Sequence, residues 1–136
     1  MPDITIIPAN VKPSVNANPI RGTSTGAINA GDVVAVYPDG TIGPADSNGG
    51  SPLDTPVGIA GCSADGAGQF IMYVSLDSDF TIGGTTASGI PYFLSGNPGK
   101  ICLADDLIAG MKTSLIGFGK AGNKMVVSIL PSGQTV

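Results

Sequence analysis

A strand-turn-strand unit occurs twice in this chain at one spacing, and that duplication limits the folds open to it more than any other feature. The first copy runs AGDVVAVYPDGTIGPAD from residue 30 and is followed by TPVGIAGC from residue 55. The second runs SGIPYFLSGNPGKICLAD from residue 88 and is followed by TSLIGFGK from residue 113. Gly40 and Gly99, Asp46 and Asp105, and Gly58 and Gly117 are each 59 residues apart. A third apolar element follows each copy: Phe70, Ile71, Met72, Tyr73 and Val74 after the first, Met125, Val126, Val127, Ser128 and Ile129 after the second.

Each segment carries β chemistry. Val33, Val34, Ala35, Val36 and Tyr37 form an apolar, β-branched run without helical spacing. Pro38, Asp39 and Gly40 then supply a preset φ, a carboxylate able to bond its own downstream backbone, and a residue that tolerates positive φ. Stacked arrays need about three or more repeats, so two copies predict one closed unit instead. We therefore expect an all-β fold, a small β-barrel or sandwich made of two similar β-rich halves (about residues 27–76 and 84–130), with an extended N-terminal arm.

Composition agrees. All ten acidic residues are Asp, charged residues are 12 % of the chain, and there are 21 Gly and 11 Pro among 136 residues. Helix formers such as Glu and Lys are thus scarce and turn formers abundant. The length suits one body, taken as residues 27–136. A net charge of −4 argues against nucleic acid, which selects a basic stripe. No run of 18 apolar residues is present, so no membrane span is expected. The first residues show neither a basic cluster nor a long apolar stretch, so we expect no secretory leader and production in a reducing cytoplasm. Cys62 and Cys102 match no metal spacing and read as plain thiols.

Residues 1–26 differ from the rest. Prolines at 2, 8, 13 and 19 interrupt short polar and β-branched stretches, which predicts an extended arm that orders on a partner. Its apolar anchors would be Ile4, Ile6 and Ile7, with Val11 and Val15 next. Elsewhere, residues 104–112 are the one helix candidate, and Asp77, Ser78 and Asp79 read as a polar turn. A calcium loop there would need a distal Glu, and the chain has none. The last strand is expected over residues 124–130 and is expected to stop at Pro131.

Reactive constellations are missing. The chain contains no His, which removes the usual general base and the Ser-His and Cys-His nucleophile pairs. The order Gly58, Ile59, Ala60, Gly61, Cys62 is wrong for a nucleophile elbow. Ser95 to Ile101 lacks the first glycine and the hydroxyl residue of a phosphate loop. Adjacent Asp105 and Asp106 would point to opposite faces of a strand. We assign no catalytic residue, no cofactor and no metal.

The stretch AGDVVAVYPDGTIGPADS, followed by TPVGIAGCSADGAGQFIMYVSLDSDF, resembles the head-decoration (capsid cement) proteins of tailed bacteriophages, the lambda-type head-stabilising proteins among them. The shared order is a glycine-opened strand, an Asp-Gly turn, an Ala-Asp loop, a Val-Gly-Ile-Ala strand, and a strand ending in a polar turn before Phe. The resemblance implies a homotrimer on the outer surface of the expanded virion capsid, bridging major capsid protein subunits, with arms that order on the shell. A trimeric tail-fibre, spike or baseplate module that grips a host surface is the alternative.

Overall fold

A computed structural model describes residues 3–15, 17–47, 50, 52–103, 107, 112–121 and 123–135. Its strands are β1 (Ile20–Thr23), β2 (Val33–Val36), β3 (Ile42–Pro44), β4 (Gly58–Ala60), β5 (Phe70–Val74), β6 (Leu76–Thr81), β7 (Pro91–Leu94), β8 (Ile101–Cys102), β9 (Lys112–Lys120) and β10 (Lys124–Thr135). They form two antiparallel five-stranded sheets, ordered β1-β5-β4-β2-β3 and β6-β10-β9-β7-β8. The fold is all-β and sandwich-like. Neither sheet closes into a barrel.

The second order is the first with five added to every strand, so the repeat is a repeat of topology. It is also one of register. Val34 pairs with Gly58 as Tyr92 pairs with Gly117, and Val36 with Ile42 as Leu94 with Ile101. Ile59 pairs with Val74 as Phe118 with Val126, and Ile20 with Tyr73 as Phe80 with Met125. The turn glycines keep their conformations: Gly31 and Gly89 have φ of 93° and 77°, Gly40 and Gly99 of 86° and 76°. These values lie where a Cβ is disfavoured. Asp39 bonds its downstream backbone as expected, accepting from the Thr41 amide at 3.0 Å.

Register also shows how the halves meet. Side chains alternate along a strand, so paired residues share a face. One face of the first sheet carries Val34, Ile42, Ala60, Ile71 and Tyr73, packed with Ile28 and Ala64 from the flanking loops. Its other face carries Val33, Ala35, Ile59 and Val74, which join the larger core. In the second sheet, the counterparts of Val34, Ile42 and Tyr73 are Tyr92, Ile101 and Met125, and these lie in that same larger core with Phe80, Leu94, Ile116 and Val127. The halves therefore nest head to tail: the back of the first sheet fills the front of the second. Each large apolar side chain so buried contributes roughly 1.5–3 kcal/mol.

The first sheet's own front is filled locally. Ile28 and Ala64 exchange backbone hydrogen bonds (2.9 and 2.8 Å), and Ser24 ties to residues 66–69 through Oγ to Gly66 O (2.6 Å) and N to Gln69 O (2.8 Å). This flap is possible because nine residues join β4 to β5, whereas three join β9 to β10.

Three expectations change. Asp77, Ser78 and Asp79 are not a turn but lie within β6, because neighbouring groups satisfy both carboxylates. The final strand passes through Pro131 to Thr135. The ladder to β6 ends at Ser128, so Pro131 meets a partner only on its β9 side, and register shifts on both sides of Leu130 and Pro131 absorb the missing donor. The residues read as arm include β1, an edge strand paired along its length with β5. Most of the helix candidate at 104–112 lies outside the described residues; Leu107 is in no regular element and Lys112 opens β9.

Candidate partner-binding surfaces

The five arm residues divide into two groups. Ile4, Ile6 and Val11 turn inward and pack against the larger core. Ile6 and Val11 both approach Gly31, where an added Cβ would sit 2.7 Å and 3.1 Å from them. Backbone bonds hold the segment down: Ile4 N to Ile101 O (3.0 Å), Ile7 N to Gly83 O (3.0 Å), and a two-way pair between Lys12 and Thr81 (2.9 Å each). Ile7 and Val15 face outward and are 54 % and 98 % exposed. The inward alternation Ile4, Ile6 follows the two-residue period of extended chain, and a short 3-10 turn at Pro8–Asn10 resets it before Val11.

A buried carboxylate latches the end of this segment. Asp77 is 4 % exposed and accepts three hydrogen bonds, from Ser14 N (2.9 Å), Ser14 Oγ (2.6 Å) and Asp79 N (3.0 Å). Such satisfaction is what a buried acid requires.

A second surface is the back of the second sheet. Its residues Pro91, Phe93, Phe118 and Val126 correspond to Val33, Ala35, Ile59 and Val74, which are completely buried in the first half. Here Pro91, Phe93 and Val126 are only half-buried and Phe118 is 41 % exposed. Leu115 pairs with Phe93 and Leu130, and Leu76 pairs with Ser128, so Leu76, Leu115 and Leu130 extend the same face. Leu76 and Leu130 are 69 % and 63 % exposed. A shallow depression of about 310 Å³ lies between Leu76, Ser78 and Val126.

One end of this face is ionic. Asp79 accepts from Lys120 Nζ at 3.0 Å and Lys124 Nζ at 3.1 Å. The hydrogen bond from Lys120, then that from Lys124, holds the Asp79 carboxyl below its ordinary range. Two ammonium groups against one carboxylate leave a net positive spot on an acidic protein. On the opposite side of the body, burial pushes the Asp32 carboxyl up, opposed by the Asn29 amide and by Lys100 at 3.6 Å.

Among the described residues no three acidic or thiol groups converge to hold a metal. Cys62 is half-buried and Cys102 buried, both as thiols. The ion pairs brace neighbouring strands and leave no base beside a nucleophile. Sequence reasoning missed the open sheet face, although aligning Phe118 and Val126 with Ile59 and Val74 would have marked it. Comparison of the chain with known family models and with curated proteins finds no match to either.

Proposed function

We propose that this protein is a structural component of a tailed-bacteriophage virion, which binds the outer capsid surface and stabilises the expanded head by bridging major capsid protein subunits. What supports this reading is the order of sequence motifs over residues 30–80, which resembles that of the head-decoration proteins. Two nested sheets with apolar cores on both faces of the first make a stiff body, suited to holding neighbours at a fixed spacing. Assembly as a homotrimer would match a local threefold of a shell, and linked contacts would convert weak individual attachments into firm ones. While the N-terminal segment stays docked, Ile7 and Val15 are the two of its five candidate anchors able to touch a shell.

The test is location and binding. Gold-labelled antibody and cryo-electron microscopy on virions should place the protein on the head exterior, and purified protein should co-sediment with expanded heads that lack it. Label confined to the tail would favour the fibre or baseplate role. Failure to bind heads would remove the proposal.

A further inference from the structure

We infer that the back of the second sheet (Leu76, Phe93, Leu115, Phe118, Val126 and Leu130) is the docking face for another protein, one that offers a concave apolar surface with an acidic rim. On the reading above, that protein is the major capsid subunit, and the inference rests on that reading.

The chain contains its own precedent for the contact. The same face of the first sheet is driven into an apolar hollow lined by Tyr92, Leu94, Ile101, Met125 and Val127, and there its Val33, Ala35, Ile59 and Val74 are wholly buried. Duplication has therefore produced two copies of a plug and buried only one. The unburied copy keeps the plug's chemistry. Phe118 stands for Ile59 and Val126 for Val74, with Leu76, Leu115 and Leu130 widening the patch. It crosses β6, β10, β9 and β7, a span of roughly 15 Å at the usual strand spacing. A contiguous apolar patch on a sheet face marks an interaction site, whereas single exposed leucines do not.

A second copy of the chain is a poor occupant. It offers two hollows, and both are full: Ile28 and Ala64 fill that of the first sheet, and the first sheet itself fills that of the second. Face-to-face pairing of two open faces would leave the Lys120, Lys124, Asp79 cluster of each without a complementary charge. An acidic rim on a different protein supplies that charge, and complementarity of this kind sets orientation and association rate.

The experiment compares wild type with Leu76→Asp/Leu130→Asp and, separately, Phe118→Ser. These side chains are exposed, so folding should survive, and melting temperatures verify it. Co-sedimentation with expanded heads lacking the protein should show binding weakened about tenfold or more for both variants, with Phe70→Ser, at an exposed position of the first sheet, nearly unchanged. Folded variants that bind heads as wild type does would overturn this inference and leave the decoration role standing. Absence of wild-type binding would overturn both. If light scattering shows wild type self-associating and the face variants dispersed, a second copy covers the face and the inference fails.

Discussion

Gly58 and Gly117 occupy the same place in the two halves, and replacing either with alanine should damage the fold for the same reason. An ideal Cβ on Gly58 would lie 2.7 Å from Tyr73 Cδ2 and 2.8 Å from the Val74 carbonyl oxygen. On Gly117 it would press closer still against the Val126 carbonyl oxygen, with Val127 Cα 3.1 Å away. Both obstacles include backbone, and both strands are hydrogen-bonded on either side, so neither can slide away. Overpacking of this kind costs about 1–3 kcal/mol, and Gly117→Ala should be at or above the upper end. For a chain of this length each kcal/mol lowers the melting temperature by roughly 2–6 °C. Gly66→Ala is the control. Its Cβ would meet nothing within 4 Å, so it should be neutral or stabilise by about 0.4–1 kcal/mol through the unfolded chain. Urea titration of the three variants gives the ranking. A Gly117→Ala protein as stable as wild type would show that β9 and β10 do not approach so closely at this point, and the argument from equivalent positions would go with it.

Removing the Asp77 latch by Asp77→Ala leaves the Ser14 and Asp79 amides without their acceptor; we expect a loss of about 3 kcal/mol in urea unfolding and faster amide exchange at Lys12 and Ser14. Asp32 sets a pH dependence of unusual sign. Burial raises its folded pKa above the ordinary 3.8, so the folded chain holds the proton more tightly. Its contribution is therefore greatest below that value and falls as pH climbs through the folded pKa, and Asp32→Asn should flatten that part of a stability-pH curve. The ion pair with Lys100, at 3.6 Å and with the lysine side chain half-exposed, contributes little to the comparison. A thiol reagent should label Cys62 in the native protein and reach Cys102 only after unfolding; rapid labelling of both would contradict the burial of β8.

Much of the strand plan could be read from residue order, because β2, β4, β5 and β7 are dense apolar runs punctuated by Gly, Pro and Asp. Two strands escaped, and they are equivalent. β1 (Ile20–Thr23) and β6 (Leu76–Thr81) sit at sheet edges, carry polar residues (and, in β1, a glycine), and become strands through pairing with β5 and β10. Their local composition favours turn or coil, and tertiary pairing overrides it. The arm stood out, but the inward turn of some of its residues did not, for a related reason. Ile4, Ile6 and Val11 look the same as solvent-seeking anchors or as core residues, since only the position of Gly31 and Gly83 opposite them decides which they become. Nor can periodicity tell the two faces of β2 apart, because Val33 and Val34 are both fully buried, one in each core. Strands buried on both sides read as continuous apolar runs and conceal which side meets which partner.

Head-to-tail use of a duplicated sheet has a consequence that two-fold packing would not. A two-fold contact uses the same patch on both halves and leaves none over, whereas a plug placed in a hollow leaves one spare plug and one spare hollow. Left alone, such a molecule could add copies without end, as open heterologous contacts do. The nine-residue connection between β4 and β5 prevents this from one side by folding Ala64 against Ile28 inside the spare hollow. It acts like the capping unit of a repeat array, closing one end at the cost of a longer loop. The corresponding connection of the second half has only three residues, and there the first sheet fills the hollow in place of a flap. On the inference drawn above, such a chain seals the hollow that could accept a second copy and offers its remaining apolar face to a different protein.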